Sequence, residues 1–184
     1  MKHLKLYENF AKGIIVYHRS DELSHMERAD FDLSKSDDEF SIFGQAVYFS
    51  SSPSMSKALG KYICKFEIQL EDPILDMNES ITLAEADKML ADFNKMFKTD
   101  YEIDFTEGYE DDMQYGQFFL EINDLDEWEP RPNTHFKDFI HSLGYKSFKH
   151  FTTYDSDFRT DEGDYGTVYG IYNTRNIKFV DGPF

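Results

Sequence analysis

The sequence contains a single cysteine, Cys64, among its 184 residues. One thiol cannot form an internal disulfide, and secreted chains of this size usually carry disulfides. No apolar run approaches the roughly 18 residues that a membrane span requires, and residues 1–10 lack the uninterrupted apolar stretch of a secretory signal. We therefore expect a cytoplasmic protein without membrane contact.

Basic residues are also scarce, since 19 Lys and Arg stand against 36 Asp and Glu, giving a net charge of −17. Such a surface repels phosphates, which argues against direct nonspecific nucleic-acid binding. The same charge would attract a basic protein partner, or let the chain imitate nucleic acid towards a nucleic-acid-binding protein. The six histidines lack the cysteine partners or the i, i+4 spacing of a zinc site, so we expect no metal.

Aromatic residues are abundant, with 18 Phe and 12 Tyr in a chain that is 40% hydrophobic. These rings bury enough apolar area to close a sizeable core, and the length fits one domain over residues 1–184. Early strands, central helices and late strands favour an α+β architecture over alternating βα units.

The apolar pattern locates most of the secondary structure. Strands are predicted at residues 13–18, 46–49, 62–70, 145–152, 167–172 and 177–180, with 74–76 as an edge strand or a turn. Helices are predicted from the Ser52-Pro53 start to about residue 61, after the Thr82–Glu85 capping box, and from Thr134 to Gly144. Residues 23–31 suit a short helix or a surface loop.

Residues 99–130 contain no Lys or Arg but twelve Asp or Glu, with aromatic residues interspersed. We interpret this segment as an acidic, partly ordered insertion. It could dock on a basic protein, or it could simply keep an aromatic-rich chain soluble.

Two short segments carry a distinctive motif. Val16-Tyr17-His18-Arg19-Ser20 ends a strand, and the run from Gly44 to Pro53 joins a glycine to Val47-Tyr48-Phe49 and a polar turn. The first resembles the Tyr or Trp, His, Gly, Ser or Thr element of the ADP-ribosyltransferases, on the branch of diphtheria toxin and the poly(ADP-ribose) polymerases. The second is similar to the Gly, any, Gly, Ile, Tyr, Phe element of the same families.

Three further segments extend the resemblance to about half of the chain. Residues 65–76 look like the strand ending in Asn, Pro, Leu, any, Asp of bacterial relatives, Gly144-Tyr145 matches a Gly-Tyr there, and residues 168–178 resemble the closing strand and its turn. The resemblance implies an α+β fold of split antiparallel β-sheets with flanking helices. It also implies NAD as the substrate.

Cleavage of the glycosidic bond of NAD passes through an oxocarbenium-like state, so the protein must hold the nicotinamide and the ribose. His18 can hydrogen-bond ribose hydroxyls, while the main chain of Arg19 clamps the carboxamide. Tyr48 can stack on the nicotinamide ring, with a hydroxyl from Ser50 or Ser52 nearby. We therefore expect the rings of His18 and Tyr48 to face each other across one groove.

Four further residues complete the expected NAD contacts. Ser20 and Phe49 lie within the two motifs, and Leu59 and Tyr62 follow them in the chain. Leu59 lies where the families often have a second stacking tyrosine, and Tyr62 is a possible substitute. Taken alone, His18 is also compatible with a surface or satisfied histidine, and Tyr48 with a strand packing residue.

The sequence departs from the family pattern at two more positions. Arg19 replaces the usual glycine, and its side chain could crowd the pocket or reach the pyrophosphate. The family glutamate falls on Val168, which cannot steady an oxocarbenium ion. Asp161, Glu162 or Asp164 could supply a carboxylate if the strand register is shifted, and Asp164 is the candidate we carry forward.

These observations predict a mono-ADP-ribosyltransferase that cleaves NAD and transfers ADP-ribose to a macromolecule, most simply a protein, with NAD hydrolysis as a side or main reaction. Elongation to poly(ADP-ribose) is not expected. The alternative is a catalytically inactive protein of the same fold whose acidic surface docks on a basic or nucleic-acid-binding protein.

Overall fold

The structure, a computed structural model, describes residues 13–33, 43–55, 60–125, 133–152 and 166–184. Nine strands form in this part of the chain: β1 (Ile14–Ser20), β2 (Val47–Ser50), β3 (Tyr62–Ile68), β4 (Ile74–Asp76), β5 (Ser80–Thr82), β6 (Asp112–Gln114), β7 (Ser147–Thr152), β8 (Gly166–Ile171) and β9 (Ile177–Asp181). The helices described are α1 (Leu23–Arg28), α2 (Leu83–Phe97), α3 (Tyr115–Asn123) and α4 (Asn133–Ser142). None of the described helices is long and apolar enough to cross a bilayer.

Seven strands build one mixed sheet in the order β4-β7-β8-β2-β1-β3-β9. All neighbours are antiparallel except β4 and β7, which run parallel. Strands β5 and β6 form a separate two-stranded antiparallel sheet. The fold is therefore α+β, as the order of predicted elements indicated.

Most of the predicted strands are confirmed, because alternation of apolar and polar residues identifies a half-buried strand. In β3, Cys64, Phe66 and Ile68 are buried on one face. The edge position predicted for residues 74–76 is also confirmed, since β4 ends the large sheet.

The helix predicted for residues 53–61 is wrong within the described part of that range. Residues 51–55 form bends and turns, and β3 has already begun at Tyr62. The Ser52 hydroxyl accepts a bond from the Ser54 N–H at 3.3 Å, which closes a local turn. A serine before a proline favours such turns as readily as a helix start.

Helix α2 begins where the capping box predicted. The Thr82 hydroxyl accepts from the Glu85 N–H, and the Glu85 carboxylate accepts from the Thr82 N–H. The buried residues Ala86, Leu90 and Phe93 then share one face of the helix.

Two aromatic cores pack on opposite faces of the large sheet. The larger core contains α2, α3 and α4 residues and Phe148 of β7, whereas the smaller core contains Val16, Phe49 and Phe66 with Met26 of α1. The acidic segment contributes to the larger core, because Phe118 and Phe119 of α3 are fully buried in it. Three of its rings, Phe105, Phe118 and Phe119, are thus internal, while carboxylates between 102 and 112 are exposed.

Gly170 of β8 shows how closely the larger core approaches the sheet. A Cβ atom at this position would overlap the ring of Phe148, its cross-strand partner on β7. The Phe148 ring therefore lies directly on the main chain of β8, where only glycine leaves room.

Candidate functional site

The pairing of β1 with its two neighbours is unequal. Every residue of β1 from Ile14 to Ser20 is paired with β3, whereas Tyr17, opposite Ser50, is the residue paired with β2. The β1–β2 ladder therefore ends just before the residues that the motif singles out.

We call the place where the pairing of β1 with β2 ends, after Tyr17, the interruption. The main-chain N–H and C=O of Arg19 face it. The Ser50 hydroxyl lies 3.4 Å from the Tyr17 carbonyl, so the main-chain groups of Tyr17 face β2. Main-chain groups alternate between the two sides of an antiparallel strand, so those of Arg19 face β2 as well. The register records no β2 partner for Arg19 within the described residues.

His18 replaces the missing main-chain partner. Its Nδ1 lies 2.7 Å from the Tyr48 carbonyl oxygen. Because a carbonyl only accepts, Nδ1 carries the proton, and Nε2 of the neutral ring is left as an acceptor. One imidazole therefore bridges the two strands where the ladder ends.

The His18 ring lies among phenylalanines of the smaller core. Its centroid is 5.2 Å from that of Phe31, 5.5 Å from that of Phe49 and 6.4 Å from that of Phe66. Burial lowers the pKa of His18 to about 4, although the bond to Tyr48 opposes this shift. The imidazole is therefore neutral at neutral pH and suited to accept a hydroxyl hydrogen bond.

The Tyr48 ring lies on the other face of the sheet, in contact with the larger core and 5.7 Å from the Phe148 ring. Its hydroxyl donates to the Gly44 carbonyl at 2.7 Å and accepts from the Phe43 N–H at 3.1 Å. Burial raises the pKa of this phenol well above its usual range.

The prediction that the His18 and Tyr48 rings face each other is therefore wrong. Strand side chains alternate between faces, and the Tyr17–Ser50 register puts His18 on the face of Phe49 and Tyr48 on the opposite one. What the structure brings together is the His18 ring and the Tyr48 main chain.

The Arg19 side chain ties the strand to two later segments. Its guanidinium donates to the Pro53 carbonyl at 3.1 Å and to the Gly60 carbonyl at 3.4 Å. Its Nε is buried and has no hydrogen-bond partner among the described residues. A buried donor without a partner is costly and marks a place where a ligand acceptor would be favourable.

The other predicted contact residues lie around the same end of β1. Ser20 is paired with Tyr62 of β3 and accepts a bond from the Glu22 N–H at 3.1 Å. Ser50 is 6% exposed, and its hydroxyl donates to the Ser52 carbonyl at 2.8 Å. Leu59, Asp161, Glu162 and Asp164 lie outside the described residues.

Val168 occupies the position that the resemblance assigns to a glutamate. It is buried, and the register places it between Ser50 of β2 and His150 of β7. Sequence reasoning gave His150 no role, because only the register of β7 and β8 reveals this neighbour. Burial lowers the pKa of His150, and nearby Asp76 opposes that shift.

Comparison with known proteins adds no relative: no protein-family model, curated protein or solved structure matches the chain. Within the described residues, no group of three or more His, Cys, Asp or Glu side chains is arranged to hold a metal ion. The class that the fold supports is an α+β protein with a mixed seven-stranded sheet interrupted between β1 and β2.

Proposed function

We propose that this protein is a mono-ADP-ribosyltransferase that binds NAD at the interruption between β1 and β2. The observation that carries the proposal is the end of the ladder after Tyr17, where His18 holds the Tyr48 carbonyl and the Arg19 main chain is left facing β2. The motif resemblance around His18 and Tyr48 supports the same site.

A carboxamide offers one carbonyl acceptor and an NH2 donor, which complement the N–H and C=O of a single residue. In the proposal the nicotinamide amide takes the place of the missing β2 partner of Arg19. His18 Nε2 accepts from a ribose hydroxyl, and the buried Nε of Arg19 donates to the pyrophosphate. The neutral state of His18 fits this role, because an imidazolium has no acceptor.

The role of Tyr48 differs from simple stacking across a groove. Its phenol fixes the Phe43–Gly44 turn, so that its main chain is held opposite His18. Its ring packs in the larger core on the face opposite His18, so the proposal uses its main chain and gives its ring no contact with the nicotinamide. Val168 supplies no charge, so the proposal takes its carboxylate from Asp164, the candidate named from the sequence, which lies outside the described residues.

A nicotinamide-release assay with purified protein and NAD tests the proposal, with binding measured separately by calorimetry. His18→Ala should lower release by about 100-fold or more, since positioning and hydrogen bonding at the reacting sugar are lost. His25→Ala, on neighbouring α1, is the matched control and should release nicotinamide at the wild-type rate. No release by the wild-type protein, or equal release by both variants, would overturn the catalytic proposal.

Tyr48→Phe separates main-chain positioning from the phenol. It keeps the ring and the carbonyl that His18 holds but removes the bonds that fix the Phe43–Gly44 turn, so release should fall, though less than in His18→Ala. Asp164→Asn should abolish release while NAD binding persists. If Asp164→Asn is as active as wild type, Asp164 is not the carboxylate of the reaction.

A second function, binding to a basic protein without turnover, is favoured by Val168 and by the exposed carboxylates at 102–112. Deleting residues 102–112 would remove buried Phe105, so charge neutralisation is the cleaner test. Glu107→Gln/Glu110→Gln/Asp111→Asn should weaken binding to a cationic probe protein at low salt. Glu22→Gln/Glu27→Gln/Asp30→Asn removes the same charge at α1 and should bind like wild type. Equal binding by both triple variants, or binding unchanged at high salt, would exclude this surface.

A further inference from the structure

A cleft of about 480 Å³ lies beside the turn from α4 to β7 and the end of β8. Lys137 and His141 of α4 line it together with Lys146 from the following turn. These basic groups gather in a chain whose net charge is −17. The cleft shares no lining residue with the interruption between β1 and β2.

Within the part of the chain that the structure describes, neither lysine of the cleft forms an ion pair with a carboxylate. Among the described residues, the lysine ion pairs are Lys149 with Asp76 and Lys178 with Glu67. Neither Lys137 nor Lys146 takes part in such a pair. Both side chains can therefore offer their ammonium groups to a ligand.

Glu71 is the carboxylate among the lining residues, and it bonds neutral amides, not the two lysines. Its Oε1 accepts from the side-chain amides of Asn173 and Asn176, both at 2.6 Å. This carboxylate holds the turn after β8. The positive charge of the cleft therefore remains uncompensated by direct pairing within the described residues.

The pKa of the His141 imidazole depends on the charges around the cleft. Burial lowers its pKa, and Lys137 lowers it further, while Asp138 and Glu71 oppose the shift. An anion placed in the cleft would reverse the effect of Lys137 on this imidazole. His141 is therefore a built-in reporter for a bound anion.

Aromatic surface completes the cleft. Tyr145 is half-buried and Tyr172 is buried, with the Tyr172 hydroxyl donating to the Phe43 carbonyl at 3.1 Å. Between α4 and Tyr145, Gly144 leaves open space, since no atom lies within 4 Å of where its Cβ would be. A flat group could lie along Tyr145 while its charged end reaches the lysines.

We propose that this cleft binds a small phosphate ester, with the phosphate between Lys137 and Lys146 and the organic part along Tyr145. Phosphate is the chemistry that two unpaired ammonium groups and a titratable imidazole recognise best. This site is independent of the proposed NAD site, so either can fail without the other.

The test is a titration of isotope-labelled full-length protein with inorganic phosphate and with phenyl phosphate, against chloride at matched ionic strength. Both phosphates should shift the His141 imidazole signals and raise its pKa, and phenyl phosphate should bind more tightly. Lys137→Gln/Lys146→Gln should weaken binding by about tenfold or more. Lys88→Gln/Lys95→Gln, on the exposed side of α2, removes the same charge and should bind like wild type.

Equal weakening by both double variants would mean that only net charge matters and would overturn the site. Shifts produced equally by chloride would overturn it as well. Tighter binding of inorganic phosphate than of phenyl phosphate would overturn the proposed contact between the organic part of the ligand and Tyr145. The NAD release assay decides none of these outcomes, so the two proposals are tested separately.

Discussion

Strand β1 has two neighbours and is joined to them in different ways. Along β3 it is paired over its whole length, whereas β2 is joined through Tyr17 and through the His18 side chain. The large sheet thus has a four-stranded part, β4-β7-β8-β2, and a three-stranded part, β1-β3-β9, and the smaller core spans both, since it joins Phe49 of β2 to Phe66 of β3. The comparison shows that the sequence motif lies at the weakest main-chain junction of the sheet.

The largest expected effect comes from removing Phe148 in the four-stranded part. Phe148 is fully buried and contacts Phe43, Tyr48 and Tyr172. Phe148→Ala should lower the free energy of unfolding by about 3–5 kcal/mol. Urea denaturation measures this, and Phe151→Ala, whose ring is 51% exposed on the same strand, is the control with little effect. Two separate transitions in Phe148→Ala would show that the two parts unfold independently.

The junction itself should be sensitive to acid. The pKa of folded His18 is about 4, below the unfolded value, so between these values the unfolded chain binds the extra proton. Stability from this group is complete above about pH 6.5 and falls by up to about 3 kcal/mol as the pH drops to about 4.

His18→Gln should flatten this part of the stability profile. Urea denaturation across this pH range gives the profile, and NMR titration gives the imidazole pKa directly. Titration of His18 near its unfolded value would contradict the buried bridge between the strands.

The smallest effect is expected from the guanidinium that ties β1 to the segment after β2. Arg19→Gln removes the bonds to Pro53 and Gly60 and should cost about 1 kcal/mol, because the group is partly exposed. Arg175→Gln, on an exposed residue, is the control for lost charge. Equal denaturation midpoints for the two variants would show that Arg19 does not hold the junction.

The strands of the large sheet could be predicted because their side chains alternate over several residues, as in Cys64, Phe66 and Ile68. The small sheet and α3 could not, since β5 and β6 have three residues each and α3 lies in a segment dominated by charge. The N-terminal cap of α3 is formed by Gln114 and Gln117, which predicts a helix start less clearly than the Thr82–Glu85 capping box does.

For the candidate site, the sequence predicted that His18 lies at the end of a strand. It did not predict on which face of the sheet the imidazole lies or which groups it contacts. Which face Tyr48 occupies relative to His18 depends on the register of β1 and β2, which local patterns do not encode. The same holds for Val168 and His150, which are neighbours only through long-range pairing.

The turn that leads into β2 is anchored by two phenols. Tyr48 bonds both Phe43 and Gly44, and Tyr172 donates to the Phe43 carbonyl. The position of the Tyr48 carbonyl therefore depends on how this turn packs against α4. That carbonyl in turn fixes the proton of His18 on Nδ1. A ligand or substitution that moves this turn would be transmitted through the sheet as a change in which imidazole nitrogen carries the hydrogen.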